Sequence, residues 1–205
     1  MTVELYHCDF REAQIKAESI DLILTDPPYG KKYMYLWDAL GALGQRVLKP
    51  GGWLIAYAGQ SHLDMEMAGL GKWLSYYWTM SLQLKQGQQV YTLRTMWKPV
   101  LVFFKPPKAR HGFIHDTIMG SGEDKRFHRW GQSALELRRL IGAFTKEGDL
   151  VLDPMAGGGT TIEACIQSGR NVTAYEINDS TFGRLKARLE GNMTAVQSKL
   201  VTAPT

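Results

Sequence analysis

LVLDPMAGGGTT, residues 150–161, is the stretch that decides the fold of this sequence. It begins as a short apolar run, turns through consecutive glycines and ends at Thr160-Thr161, where a helical pattern begins. A strand, a glycine turn and a helix start in this order form a common ligand site in open α/β sheets. The turn lets a ligand approach both the backbone and the helix N-terminus. The competing interpretation is a plain tight turn capped by Thr160.

Outward from this stretch, short apolar runs alternate with helical patterns. The alternation predicts an α/β fold, with a mostly parallel sheet covered by helices on both faces. Capping boxes at 133–136 and 160–163 mark two helix starts. The candidate strands are residues 3–7, 21–25, 53–57, 76–84, 99–104, 150–152 and 171–175, and the candidate helices are 36–48, 134–144, 161–167 and 180–190.

Length and composition are those of an ordinary globular domain. The chain has 205 residues, of which 44% are hydrophobic and 21% charged. The sequence contains no apolar run of about 18 residues, so we expect no membrane span. The N-terminus lacks the features of a signal peptide. Cys8 and Cys165 are too few for a disulfide framework or a zinc cluster. We therefore expect a reduced, cytoplasmic setting, without a metal or a membrane.

Positive charge is concentrated between Arg94 and Trp130, where eight Lys or Arg residues face three Asp or Glu residues. Such concentration is typical of a contact with a polyanion, because neutralising phosphates is the main non-specific term in nucleic-acid binding. A solvated surface loop is the alternative. Residues 105–127 contain two prolines and three glycines, which predict a long basic loop.

The residues around the glycine turn narrow the choice of ligand. Glu176 follows Asp153 by 23 residues and ends the next predicted strand, a position suited to holding a ribose diol. The turn has no Lys for a phosphate loop, and Asp153 would repel a pyrophosphate. Ile162 stands where a dinucleotide fingerprint needs its third small residue. A nucleoside without phosphates that carries a positive sulfonium fits this acidic rim better.

A second candidate site is LILTDPPYG, residues 22–30, at the end of another predicted strand. Asp26-Pro27-Pro28-Tyr29 combines a carboxylate acceptor, carbonyls on a rigid backbone and a flat aromatic surface. These are the groups needed to hold a planar base that bears an amino group. The alternative is a turn that only terminates the strand.

These two motifs resemble those of the amino-methyltransferases that act on adenine N6 or cytosine N4 in DNA. Residues 26–29 match the Asp/Asn/Ser-Pro-Pro-aromatic hallmark of the family. Residues 153–160 match its cofactor motif, Asp-Pro-Phe-x-Gly-x-Gly-Thr, except that Met155 replaces Phe. The catalytic motif precedes the cofactor motif, as in the permuted β group. The resemblance implies the permuted class I methyltransferase fold, with a Rossmann-like, seven-stranded, mostly parallel sheet, and S-adenosyl-L-methionine as cofactor.

The resemblance also implies roles for individual residues. Asp26 and the Pro27 carbonyl would accept hydrogen bonds from the target amino group, and Tyr29 would stack on the flipped base. Pro28 belongs to the same predicted catalytic motif. An acid at the end of the first strand, here Asp9, would contact the cofactor adenine, and Glu176 would hold the ribose. The full predicted cofactor set is Asp9, Asp26, Ser133, Asp153, Pro154, Met155, Ala156, Gly157, Gly159, Thr160, Thr161, Glu176 and Ile177.

DNA contacts are expected in two places within a single methyltransferase domain, residues 1–205. The family places target recognition in the basic insertion at about 106–127, which is short here. Sequence specificity would therefore be weak, shared across a homodimer, or supplied by a partner subunit. Residues 31–35 are interpreted as a mobile loop that grips the flipped strand, or alternatively as an ordinary exposed loop. The predicted DNA-binding residues are Lys31, Lys32, Tyr33, Lys105, Lys108, Arg110, Arg126 and Arg129.

The first motif position favours one target base. Asp, which is residue 26 here, is more usual among the adenine enzymes of the family, whereas Ser is common among the cytosine-N4 enzymes. Adenine N6 in DNA is therefore the predicted target, and cytosine N4 is the alternative. An RNA amino-methyltransferase, a catalytically idle DNA-binding or regulatory subunit, and a nicotinamide-linked dehydrogenase are the other hypotheses left open.

Overall fold

A single sheet organises the molecule, which is described here from a computed structural model covering residues 1–90, 92–120 and 134–192. Eight strands form this sheet in the described residues. They are β1 (Val3–Tyr6), β2 (Ile20–Thr25), β3 (Leu48–Tyr57), β4 (Ser75–Val90), β5 (Leu93–Phe104), β6 (Thr117–Met119), β7 (Leu150–Asp153) and β8 (Asn171–Tyr175).

Five α-helices accompany the strands in the described part of the chain. They are α1 (Met34–Val47), α2 (Leu63–Gly71), α3 (Ala134–Phe144), α4 (Thr160–Gln167) and α5 (Asp179–Asn192). Short 3-10 helices precede α1 at Lys31–Tyr33 and follow β1 at Phe10–Glu12. None of the helices in the described ranges combines the length and hydropathy that crossing a membrane requires.

The strand order is β1-β8-β7-β2-β3-β5-β4-β6. The first five strands in that order run parallel to one another. β5 is antiparallel to β3 and β4 is antiparallel to β5, whereas β6 pairs in parallel with β4. The carboxyl ends of the five parallel strands therefore meet at one edge of the sheet, where open α/β sheets bind ligands.

Both faces of the central strands of the sheet are buried. On one face, Leu22 and Leu24 of β2 join the core cluster that contains α3, α4 and α5 residues. Ile23, between them, joins the cluster on the opposite face, which contains α1 and α2 residues. This explains why the central strands are continuous apolar runs instead of alternating patterns. The prediction of a mostly parallel α/β sheet with helices on both faces is confirmed.

Three details of the sequence prediction were wrong. The sheet has eight strands instead of seven, because β6 lies inside the segment interpreted as a loop. Lys31–Tyr33, expected in a mobile loop, forms a 3-10 helix that leads into α1. Thr160 does not cap α4, since Gly159 takes the N-cap position in a left-handed conformation at φ 80°. The other capping box includes Ser133, which lies outside the described residues.

Substitution of Trp53 tests how much the packing of the larger core cluster contributes to stability. The Trp53 ring is 2% exposed and packs against Tyr77, Phe104 and Phe144, with centroid separations of 5.2, 5.7 and 5.1 Å. Trp53→Ala should lower the free energy of unfolding by about 3–5 kcal/mol, because it leaves a large cavity. Phe113→Ala is the control, since Phe113 is 88% exposed, and it should change stability by less than about 0.5 kcal/mol. Urea denaturation of the variants measures both values, and equal effects would contradict this packing.

Candidate active site

A large cleft opens at the carboxyl edge of the parallel strands. Its volume is about 1560 Å³, and both sequence motifs line it. The pairing of β2 with β7, through Leu22–Val151 and Ile23–Leu152, places the ends of these two strands side by side. Asp26 and Asp153 are consequently neighbours in space although 127 positions separate them in sequence.

The turn after β2 presents a carboxylate and an aromatic ring to the cleft. Asp26, Pro27, Pro28 and Tyr29 all line it, and 40% of Tyr29 is exposed. The Tyr29 hydroxyl donates a hydrogen bond to Asp26 Oδ1. Gly30 follows at φ 109°, a conformation that L side chains rarely adopt, and it lets the chain reverse into the 3-10 helix. The structure thus brings together the four predicted catalytic residues.

Lys98 is a site residue that the sequence analysis did not assign. It lies where β5 passes the cleft, with its Nζ 3.5 Å from Asp26 Oδ2 and 4.6 Å from the centroid of the Tyr29 ring. Lys98 is therefore a hydrogen-bond donor close to both the carboxylate and the ring. The signal in the sequence was only its membership of the basic stretch, because nothing local predicts that β5 meets the end of β2.

Tyr57, at the end of β3, is a second residue that the sequence analysis missed. It is 1% exposed and lines the cleft, and its hydroxyl has no hydrogen-bond partner among the described residues. A buried hydroxyl without a partner costs free energy. A polar ligand atom in the cleft would remove that cost. Burial, together with the nearby Glu136 and Asp26 carboxylates, raises the pKa of Tyr57, which keeps the phenol neutral.

The glycine turn gives its two candidate glycines different roles. Gly157 has φ 50° and lines the cleft, and a Cβ built there would meet nothing within 4 Å. A Cβ on Gly159 would clash with Leu185 Cδ1, so Gly159 instead allows the turn to pack against α5. Gly157 therefore leaves room for a ligand, while Gly159 does not line the cleft.

Carboxylates surround the turn. Glu176 accepts hydrogen bonds from the backbone N–H groups of Gly157, at 2.9 Å, and Asn178, at 2.7 Å. It therefore fixes the turn whatever else it binds. Asp9 is held by Arg11 through its Nε at 3.0 Å and Nη2 at 2.5 Å, and this hydrogen bonding lowers the pKa of Asp9.

Asp153 is the most deeply buried of these acids, at 3% exposure. Burial raises its pKa to about 6, against the opposing effects of hydrogen bonds from Thr161 and the Met155 backbone N–H. The nearby Asp26 carboxylate raises the pKa further. Close to neutral pH this group adds negative potential beneath the turn, which a positively charged ligand would offset.

Most of the predicted cofactor residues line this one cleft. The exceptions are Gly159, described above, and Ser133, which lies outside the described residues. Those that line the cleft are Asp9, Asp26, Asp153, Pro154, Met155, Ala156, Gly157, Thr160, Thr161, Glu176 and Ile177.

The structure separates the predicted DNA-binding residues. Tyr33 lines the cleft, and Lys31 and Lys32 are exposed on the adjoining 3-10 helix. Lys105 lies at the opposite edge of the sheet. Its backbone N–H donates to the carbonyl of Gly52, in the first half of β3, and its Nζ is 3.0 Å from Glu18 Oε1.

Lys108 and Arg110 follow Lys105 at that far edge. Lys108 Nζ lies over the Tyr77 ring, and neighbouring Ala109 packs beside Gly51. Five residues of β3, about 17 Å, separate Gly52 from Tyr57 at the cleft. Lys105, Lys108 and Arg110 are therefore not brought together with Asp26. Arg126 and Arg129 lie outside the described residues.

Glu66 supports the Asp26–Tyr29 turn from below. It lies on α2, is 1% exposed, and accepts a hydrogen bond from the backbone N–H of Gly59 at 3.0 Å. Gly59 in turn packs beside the Tyr29 ring. Burial raises the pKa of Glu66 to about 7, although the hydrogen bond from Gly59 opposes that change.

Comparisons with known proteins place these features in a family. A family model described as DNA methylase matches residues 60–183, more than half of the chain. The type II methyltransferase M.HpaI of Haemophilus parainfluenzae is 26% identical, over 90% of this chain and 72% of its own length. The DNA adenine methyltransferase YhdJ of Escherichia coli K12 is 27% identical, over 80% of this chain and 74% of its own.

Solved structures share the fold. The Thermus thermophilus protein TTHA0409, in complex with S-adenosyl-L-methionine, superposes with a TM-score of 0.77 at 20% identity, over 97% of this chain and 99% of its own. The PvuII DNA methyltransferase, which is cytosine-N4-specific, gives a TM-score of 0.76 at 15% identity, over 90% of this chain and 85% of its own. At these identities the likeness establishes the architecture.

Glu66 predicts how stability depends on pH. Because the folded chain holds the Glu66 proton more tightly than the unfolded chain, its stabilising contribution is complete below about pH 4.5 and is lost as pH rises through 7. Glu66→Gln keeps a hydrogen-bond acceptor but cannot ionise. The stability of the wild type relative to this variant should therefore fall by on the order of 1–3 kcal/mol between pH 4.5 and 8. Denaturation at several pH values measures the difference in unfolding free energy between the two proteins. The titration of Asp153 cancels from this difference, because both proteins contain Asp153. Parallel plots of unfolding free energy against pH would contradict the prediction.

Proposed function

The chain belongs to the DNA methylase family, and we propose that it transfers the methyl group of S-adenosyl-L-methionine to the N6 amino group of adenine in DNA. The observation that carries the proposal is the presence of the Asp26–Tyr29 turn and the glycine turn in one cleft. A site for one small ligand is typically about 300–1000 Å³. A cleft of about 1560 Å³ has room for a nucleoside cofactor and a base together.

The residues around the glycine turn fit the cofactor, which supplies an activated methyl group on a positive sulfonium. The acids at this end of the cleft favour a cation, and Gly157 leaves open space beside the backbone. We assign Glu176 to the ribose hydroxyls, since a carboxylate has lone pairs beyond the two that its backbone partners use. Asp9, which follows β1 and caps the 3-10 helix Phe10–Glu12, is assigned to the adenine end. The Thermus thermophilus protein of the same fold was solved in complex with S-adenosyl-L-methionine, which supports the choice of cofactor.

The Asp26–Tyr29 turn makes a poor nucleophile reactive. The lone pair of an aromatic amine is delocalised into the ring, and the amino group is unreachable within stacked DNA, so the nucleotide must first swing out. Asp26 and the Pro27 carbonyl accept hydrogen bonds from the two amino hydrogens. Holding both hydrogens directs the nitrogen lone pair toward the methyl group. The rate enhancement comes from orientation and preorganised electrostatics.

Lys98 lies at the position that the amino group of the base takes in this proposal. Its ammonium is a donor to Asp26 and lies over the Tyr29 ring, as a stacked amino base would. The entering base therefore replaces Lys98 at the carboxylate. The Lys98 ammonium partly neutralises Asp26 and lies beside Tyr29.

Adenine is favoured over cytosine as the target. The first motif residue is Asp26, and Asp is more usual among the adenine enzymes that this motif resembles. The identity to the Escherichia coli DNA adenine methyltransferase points the same way. Cytosine N4 is the second candidate, because the cytosine-N4-specific PvuII enzyme shares the fold.

Two measurements test this proposal: identification of the methylated base and the activity of an Asp26→Ala variant. Nucleoside mass spectrometry of DNA incubated with the protein and S-adenosyl-L-methionine should find N6-methyladenine. Asp26→Ala should lower methyl transfer by about 10²-fold or more, while cofactor affinity stays within a few-fold of wild type, because the carboxylate acts mainly in the transition state. Tyr29→Phe keeps the stacking surface and should lose less than about tenfold.

Two results would contradict different parts of the proposal. Near-normal turnover by a folded Asp26→Ala variant would end the mechanism. Detection of N4-methylcytosine without N6-methyladenine would show that cytosine is the target base. The proposed mechanism would still hold.

Gly157 tests the cofactor site. Asn tolerates a positive φ better than other L residues, so Gly157→Asn should fold while its side chain fills the space that the cofactor needs. Affinity for S-adenosyl-L-methionine, measured by calorimetry, should fall at least about tenfold. Gly148→Asn is the matched control, because Gly148 also has positive φ and open space but lies away from the cleft. Equal affinities of the two variants for S-adenosyl-L-methionine would exclude Gly157 from the cofactor site.

A further inference from the structure

Strands β4 and β5 continue past the sheet as a two-stranded ribbon. β5 pairs with β3 from Val100 to Phe104, and Val100 lies opposite Tyr57, where β3 ends at the cleft. Residues 84–90 and 92–97, here called the distal ribbon, extend beyond that edge on the cleft side. At about 3.4 Å per residue, the part of β5 from Leu93 to Pro99 reaches roughly 20 Å from the sheet.

We propose that the distal ribbon is the element that reads DNA sequence, and that it enters a groove of the duplex beside the target base. The inference rests on the proposed function, since it takes the substrate to be DNA. A two-stranded β-ribbon has the width that the major groove of B-DNA admits.

The charge of the distal ribbon suits this partner. No Asp or Glu occurs between Glu66 and Asp116, whereas Lys85 and Arg94 are both exposed on the ribbon. The remaining polar residues of the distal ribbon are neutral donors and acceptors, namely Gln86, Gln88, Gln89, Thr92 and Thr95. Arg paired with guanine and Gln paired with adenine are the common bidentate contacts to base edges. Repulsion from the phosphates is absent along this segment.

Exposed apolar side chains set the distal ribbon apart from an ordinary solvated hairpin. Leu93, Met96 and Trp97 are 74%, 47% and 37% exposed, and all three line the cleft. Apolar groups of this kind make contacts with thymine methyl groups in the major groove. A groove contact would cover surfaces that water covers in the free protein.

The distal ribbon is joined directly to the catalytic carboxylate. Alternate residues of a strand share a face, so Arg94, Met96 and Lys98 lie along one side of β5. Lys98 contacts Asp26. Arg94 is four residues, or about 13 Å, farther along the strand. That distance spans roughly four nucleotide steps of 3.4 Å. Arg94 is thus placed to contact base pairs next to the flipped nucleotide.

The distal ribbon also has a defined shape. Gln88, Gln89 and Val90 pair with Thr95, Arg94 and Leu93, after a register shift that follows Gln83. A Cβ on Gly87, within that shift, would lie 2.8 Å from the Thr95 carbonyl oxygen, so only glycine allows the two strands to approach this closely. The ribbon base is fastened near the site, because the backbone N–H of Ala58 donates to the Pro99 carbonyl at 2.9 Å. Such a scaffold holds its side chains in a fixed register for base readout.

Arg94 and Arg110 provide a matched test of position. Both are exposed arginines, but Arg94 lies beside the cleft and Arg110 follows Lys105 at the opposite edge of the sheet. Sites methylated by each full-length variant are mapped by sequencing plasmid DNA. Affinity for a duplex that carries the wild-type site, or a randomised duplex pool if no site is found, is measured without cofactor. Arg94→Ala should weaken binding at least about tenfold and broaden the set of methylated sequences, whereas Arg110→Ala should change affinity less than twofold.

The conservative variant separates readout from charge. Arg94→Lys keeps the positive charge but loses the planar fork, so it should retain most of the affinity and still alter the methylated sequences. Unchanged thermal stability and cofactor affinity of these variants exclude a structural cause.

Each remaining outcome decides one point. Equal behaviour of Arg94→Ala and Arg110→Ala would overturn the ribbon assignment. Preference for duplex RNA over DNA of the same sequence would overturn the choice of partner. A wild-type protein that binds DNA through Arg94 but methylates neither adenine nor cytosine would refute the proposed function and leave the ribbon assignment standing.

Discussion

The structure depends on the parallel pairing of β2 with β7. Leu22–Val151 and Ile23–Leu152 are buried on both faces of the sheet, so a shift of one residue would move each side chain into the wrong core. That register brings Asp26 and Asp153 to one edge. Two acids meet there, and their proximity helps to raise the pKa of Asp153. The site is thus a consequence of the same apolar contacts that stabilise the centre of the sheet.

Charge divides the cleft into two halves. Acids lie around the glycine turn, where a positive cofactor is proposed, and of these Asp9 is neutralised by its own Arg11. On the side of β5, Lys98 and Arg94 face the cleft instead. The first half suits a sulfonium and the second suits a polyanion, so each substrate has a preferred side. Asp26 lies between the halves, where the two proposed substrates would meet.

The sequence predicted those parts of the fold in which burial leaves a local pattern. Helix 134–144 was predicted to the residue. The Asp26–Tyr29 turn and the glycine turn were visible in the sequence because prolines fix the backbone of the first and glycines permit the positive φ of the second. Helix α2 was missed because its glycines have low helix propensity and weaken the helical pattern in the sequence. Gly69 lies on α2 where α1 approaches so closely that a Cβ would be 3.0 Å from Trp37 Cβ. Lys98 and Tyr57 were missed because their roles arise from strand order, which no local pattern encodes.

The distal ribbon was missed for a related reason, and the reason bears on how a small chain recognises DNA. Its exposed residues do not alternate with buried ones, so the sequence looks like a loop, while the basic run at 105–110 attracts attention to the far edge of the sheet. A short insertion seemed to require a dimer or a partner subunit for specificity. A ribbon that prolongs two existing strands needs no added domain. It also makes readout and chemistry parts of one strand, because Arg94 and Lys98 lie along the same side of β5 and Lys98 contacts Asp26.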